Sequence, residues 1–213
     1  MSSFSSFIFR RHSAPELRLP PKIKYHYEDP HVVYNLSQTL KKHLAVLDPK
    51  QNRPLIVLGI GTDRSTGDSL GPLVGTKLQE MTKDLTIYGS LDEPVHASNL
   101  EQKLKEIGAN YDNPLIIAVD ACLGLSENIG FITLAPGSLK PGAGVHKNLP
   151  PVGHVHFTGT VNVGGYMEYF VLQNTRLNLV MKMANKIALS IYHGCLQLQP
   201  VKTRAGISSE KIQ

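Results

Sequence analysis

The chain reads as an α/β protein. Residues 54–61 and 114–120 are continuous apolar runs, as expected of strands buried on both faces, and a strand pattern and a helix pattern lie between them. This order implies a parallel sheet covered by helices on both sides. The 18 glycines and 14 prolines among 213 residues fit many short elements joined by turns, and one domain is the expectation at this length.

Residues 1–28, with a Ser/Phe-rich start and the stretch PELRLPPK, read as a loosely ordered arm, and the folded domain is expected over 29–198. Asp29-Pro30 looks like a cap followed by a first-turn proline. It opens a helix with Leu36, Leu40, Leu44 and Leu47 on one face. The strand at 54–61 follows, then the polar loop TDRSTGD and a helix over 69–81. A strand over 85–91 precedes Ser98-Asn-Leu-Glu101, which fits a capping box, and the helix it opens carries Leu100, Leu104 and Ile107. The second buried strand, 114–120, ends in a carboxylate. Residues 129–134 read as an edge strand.

The Gly/Pro-rich segment 136–153 is too long for a plain connector and suits a lid or binding loop. A strand through 154–157 leads to Thr160-Val-Asn-Val-Gly-Gly. A closing helix from about residue 175 to 193 follows, with Val180, Ala184, Ile187 and Ile191 on its core face. The tail 199–213 has no periodicity and reads as disordered.

The formal charge is +5, but its distribution argues against a nucleic-acid footprint. Arg10, Arg11, Arg18, Lys22 and Lys24 outweigh three acids in the first thirty residues, and Lys202, Arg204 and Lys211 outweigh Glu210 in the last thirteen. The body between is nearly neutral. Cys122 and Cys195 lack the paired spacing of a zinc or redox site and read as reduced, buried thiols. No segment has the order of a secretory signal or the length of a membrane span, so a cytoplasmic protein is expected.

Ligands of a parallel α/β sheet gather at the carboxyl ends of its strands. Asp120 closes one buried strand there, and Asp68 lies between the other and the next helix. Facing one cleft, two carboxylates would share a proton, one serving as base and the other as acid. The same residues fit plainer duties, Asp68 as a helix cap and Asp120 as a hydrogen-bond acceptor for a loop. Residue types alone leave both readings open.

Other chemistries fit less well. Arg64 stands where a dinucleotide fingerprint needs its third glycine, and no phosphate-loop lysine follows. His154-x-His156 would place two imidazoles on one strand face and paired histidines can bind zinc, but ordinary polar positions on a half-exposed strand explain the pair better. No G-x-S-x-G elbow surrounds Ser65 or Ser69, and Cys122 fits an inert thiol. The remaining histidines, His96 among them, receive no role.

The segments GIGTDRSTGDSLGP at 59–72 and IAVDA at 117–121 resemble the germination protease of spore-forming bacteria, and look closest to its YyaC group of sporulation hydrolases. PGAGV at 141–145 and GTVNV at 159–163 are similar to later segments of that family, so the resemblance covers about residues 50–190.

The resemblance implies a three-layer α/β/α fold of the phosphorylase/hydrolase-like kind, with a mostly parallel central sheet, shared with hydrogenase maturation proteases. It implies Asp68 and Asp120 as the catalytic pair and small acid-soluble spore proteins as substrates. Gly61, Thr62, Asp63, His146, Thr160 and Asn162 are the expected substrate-binding positions, with no cofactor, no metal, no membrane and no direct nucleic-acid partner. A homo-oligomer is compatible with this reading. The expectation is a sporulation or germination peptidase of aspartic type. The alternatives are a non-catalytic peptide- or ligand-binding protein on the same fold and a metal-dependent maturation endopeptidase.

Overall fold

The computed structural model describes residues 18–142 and 149–196. In chain order the elements are β1 (Ile23–His26), α1 (Val32–Leu47), β2 (Leu55–Gly59), a 3₁₀ turn (Gly67–Ser69), α2 (Leu70–Met81), β3 (Thr86–Tyr88), α3 (Leu100–Asn110) and β4 (Leu115–Gly124). A second 3₁₀ turn (Ser126–Asn128) leads to β5 (Phe131–Pro136), β6 (Val155–Val163), α4 (Glu168–Gln173) and α5 (Leu177–Cys195).

The six strands form one sheet in the order β1-β5-β6-β4-β2-β3. Strands β3, β2, β4 and β6 run parallel, while β5 is antiparallel to β6 and β1 to β5. The fold is therefore α/β, with a mostly parallel central sheet between helical layers, as the apolar runs imply. Helices α1, α2 and α5 pack on one face, burying Val57, Ile117, Val119, Phe157 and Ile132 with Leu36, Val74 and Ile187. Each such side chain, fully withdrawn from water, contributes about 1.5–3 kcal/mol.

The opposite face is covered unevenly. There α3, through Leu100 and Leu104, packs with Leu58, Ile60 and Ala118, joined by Leu139 and Val152. A two-way hydrogen-bonded bridge between Leu139 and Val152 pins the base of the long loop.

Several elements differ from expectation. Within the segment read as an arm, residues 23–26 form a border strand. Ile23 and Tyr25 pack on the core while Lys24 faces away, an alternation too short to register beside Pro20-Pro21. Because β1 takes the border, β5 lies inside the sheet and is not an edge, with Ile132, Thr133, Leu134 and Ala135 buried. Residues 1–17 lie outside the described part.

Ser98 does not cap α3. The N-cap is Asn99, whose side chain reaches backwards to accept the His96 N–H and donate to the Pro94 carbonyl. Helix α1 likewise starts at Val32, because Asp29 spends its carboxylate on the His31 N–H and its carbonyl on Val32 in a preceding turn. Strand β6 runs unbroken to Val163, and α4 is a helix that the sequence did not announce.

Candidate functional site

The strand ends assemble the site. Val57 and Gly59 of β2 pair with Ile117 and Val119 of β4, so Asp120 stands one residue beyond the last paired position. Past Gly59 the chain stays against β4, where Ile60 donates its N–H to the Val119 carbonyl. It then turns at Gly61, which donates to the Val95 carbonyl. Gly61 has φ +138°, and a Cβ there would lie 1.9 Å from the main-chain oxygen of Asp68. Only glycine allows that approach. The Thr62 N–H donates to the same oxygen at 3.1 Å and closes the loop on itself.

Helix α2 is drawn onto the strand ends by further close contacts. A Cβ at Gly71 would meet the Ile60 carbonyl oxygen at 2.2 Å, and one at Gly75 would meet that of Gly89 at 2.1 Å. The spacing Gly59-x-Gly61…Gly71-x-x-x-Gly75 thus brings the start of α2, and Asp68 just before it, down beside Asp120.

The two aspartates sense one another. Asp120 is 7% exposed. Burial first, and then the charge of Asp68, hold its carboxyl well above the usual carboxylate range, against a smaller opposing effect of the Ala121 N–H. Half-buried Asp68 is raised to about 6 by burial, with the Thr62 N–H and nearby His96 pulling it back. The charge of Asp68 thus opposes ionisation of the more deeply buried Asp120. Burial and mutual repulsion together favour a shared proton over a doubly ionised pair.

His96 is the neighbour that sequence reasoning passed over. It follows Val95, which bridges Ile60 in parallel, so the parallel β2–β3 pairing returns it to the strand ends. The Ser98 N–H donates to its Nδ1, which places the proton of the neutral ring on Nε2. Among the described residues, no three His, Cys, Asp or Glu side chains are gathered closely enough to hold a metal ion.

The expected binding positions divide into distinct groups. Gly61 and Thr62 line the Asp68 turn, and exposed Asp63 accepts from the Thr62 hydroxyl at 3.4 Å on its rim. Thr160 pairs with Cys122, two residues along β4 from Asp120, and its Oγ1 lies 3.5 Å from the Cys122 sulfur. Asn162 is occupied structurally, donating to the Val171 carbonyl and to Thr175 Oγ1 and accepting from the Val163 N–H. His146 lies outside the described residues.

The two strand histidines serve elsewhere. His154 accepts the Ile116 N–H beside Arg53 at the far end of β4, while His156 meets the Gly137 carbonyl.

A cross-strand row reaches Asp120 from the border of the sheet. Lys24 pairs with Thr133, Thr133 with Thr158, and Thr158 with Asp120. Residues so paired share a face. Here it is the face opposite α1, α2 and α5.

Comparison with known proteins places the chain. The [NiFe] hydrogenase maturation protease HycI from Thermococcus kodakarensis KOD1 is 20% identical with a TM-score of 0.46, over 68% of this chain and 94% of that one. The protein YyaC of Bacillus subtilis (strain 168), titled uncharacterized, is 59% identical over 156 residues, 72% of each chain. Residues 24–190 match the family described as "Protein of unknown function (DUF1256)". The chain belongs to the DUF1256 family.

Proposed function

We propose that this chain is a peptidase of sporulating cells in which Asp68 and Asp120 activate water against a peptide bond. One observation carries the reading: Asp120 lies in β4 just past the last residue paired with the adjacent parallel strand β2, and Asp68 lies in the turn between β2 and α2, both raised, with the charge of Asp68 raising Asp120. Ionised Asp68 takes a proton from water as the water oxygen attacks the peptide carbonyl carbon. Protonated Asp120 gives its proton to the carbonyl oxygen as negative charge develops there. Collapse of the tetrahedral carbon breaks the C–N bond. The proton held by Asp68 passes to the leaving amine, and Asp120 regains its own from the tetrahedral hydroxyl.

Motif resemblance to germination proteases supports small acid-soluble spore proteins as substrates and the sporulating cell or spore as the setting. No described helix is long and apolar enough to cross a membrane. The test incubates the purified chain with small acid-soluble spore proteins, with and without chelator, and follows fragments by mass spectrometry beside Asp68→Asn and Asp120→Asn. Chelator-resistant cleavage that both variants lose supports the proposal. A folded wild type that leaves these proteins intact overturns the substrate assignment, and cleavage that persists in either variant overturns the mechanism.

A further inference from the structure

Helix α4 and the loop before it form an apolar lip on the candidate site. Within 163–170, Val163, Tyr166, Met167, Tyr169 and Phe170 all have large exposed side chains, with Tyr166 81% and Phe170 54% accessible. Leu125 adds to them, because the Gly164 N–H donates to the carbonyl of Gly124, the residue before it. Scattered exposed apolar residues are ordinary, whereas so dense a group in one segment marks a binding surface.

The lip is continuous with the turn that carries Asp68. A Cβ at Gly67 would lie 2.8 Å from a Leu172 methyl and 2.9 Å from Thr175 Oγ1, so α4 sits directly on the residue preceding Asp68. Asn162 and Glu168 hold it there, Asn162 through Val171 and Thr175 and Glu168 by accepting the Gly165 N–H. Met167, the N-cap of α4, is left-handed at φ 47°, a conformation that costs a non-glycine residue energy and concentrates at binding and catalytic sites. So many fastenings stabilise a segment that buries little of its own apolar surface.

Charge selects the occupant. Between 163 and 175 the only charged residue is Glu168, with Arg176 next along the chain; Glu127 is two residues from Leu125, and the Lys24 ammonium near it is taken up by Asn128 and the Phe131 ring. An interfacial membrane segment needs several lysines and arginines around its apolar residues, whereas within the lip itself the one charge is the Glu168 carboxylate. We infer that the lip 163–170 is the specificity subsite of the proposed peptidase and takes apolar side chains of an extended peptide, with basic rather than acidic flanks. This inference rests on the peptidase reading for its place beside the scissile bond, but binding can be measured without turnover.

The test uses two dye-labelled decapeptides with lysines near each end, one with Leu-Phe-Leu at its centre and one with Ser-Gly-Ser. Fluorescence anisotropy with the full chain gives Kd where the peptide stays intact, and KM replaces it where the peptide is cut. The Leu-Phe-Leu peptide is expected to bind at least about tenfold more tightly, and Tyr166→Ser/Phe170→Ser to erase that preference, as truncated aromatic anchors do. Thermal unfolding and circular dichroism verify that the variant is folded, and Tyr169→Ser serves as a second variant should the double one fail to fold.

Equal binding of the two peptides, or a preference that survives both variants, overturns the inference. So does a dimer that dissociates on Phe170→Ser, which would assign the lip to a second copy, or binding of the chain to anionic phospholipid vesicles through these residues. Selective binding without cleavage leaves the lip assignment standing and counts against the peptidase.

Discussion

Gly61 rests against the main-chain carbonyl of Asp68 so closely that no side chain fits between them. The turn that carries the proposed base is thereby fixed to the end of β2 by backbone contact, independent of side-chain packing.

Gly61→Ala should therefore reposition Asp68. A Cβ 1.9 Å from a carbonyl oxygen, on a φ of +138°, forces the loop outward. The expected result is loss of cleavage together with destabilisation of roughly 1–3 kcal/mol, measured by urea unfolding.

The pH dependence of cleavage follows from the order of ionisation. The proposed mechanism requires Asp68 charged and Asp120 protonated, so kcat/KM should rise through about pH 6 and fall where Asp120 loses its proton. Asp120→Asn should remove the activity itself, and a profile without the acid limb near 6 would count against Asp68 as the base.

The same carboxylates cost stability. Unfolded, each ionises near the ordinary carboxylate range; folded, each retains its proton to higher pH, so the native state binds more protons and loses stability as pH rises through that interval. Asp120→Asn should unfold at a higher temperature than wild type at pH 8, with the difference shrinking towards pH 4. A lower melting temperature for the variant at pH 8 would contradict this.

His43 acts in the opposite sense. It is fully buried in α1, and neither ring nitrogen has a hydrogen-bond partner among the described residues. Burial lowers its pKa, so the folded ring stays neutral while the unfolded one takes up a proton, and stability falls as pH drops below about 6.5. His43→Leu should flatten that decline and add about 1 kcal/mol at neutral pH by removing unpaired polar atoms.

Asn162→Ala should loosen α4 selectively. It removes the links to Val171 and Thr175 but touches no core contact of α5. Amide hydrogen exchange across 168–173 should accelerate about tenfold, while exchange in β4 and β6 is unchanged.

The two buried strands were legible as continuous apolar runs and the long helices as periodic apolar faces, and the first of these readings also located Asp120 on β4. Strand β1 was not, since four residues buried on one side only give two apolar positions next to a proline pair. Helix α4 was hidden for a related reason: its apolar residues face water, so periodicity could not identify a buried side. His96 escaped because its place depends on how β3 pairs with β2, a relation between strands that no local pattern carries. Asn162 was seen as a binding residue where its position is known, but its amide is consumed by α4 and α5.

The border strand β1 sets a practical limit on shortening the molecule. Periodicity alone would start the domain at Asp29, and a recombinant chain begun there would lack Ile23–His26. Residues Phe131–Pro136 would then present their vacant amides and carbonyls to any passing strand, an invitation to self-association. Such a chain would also lose Lys24, the basic end of the row that leads across Thr133 and Thr158 to Asp120. Poor solubility and a disturbed Asp120 row would then share one origin, and neither would bear on whether the aspartates are competent.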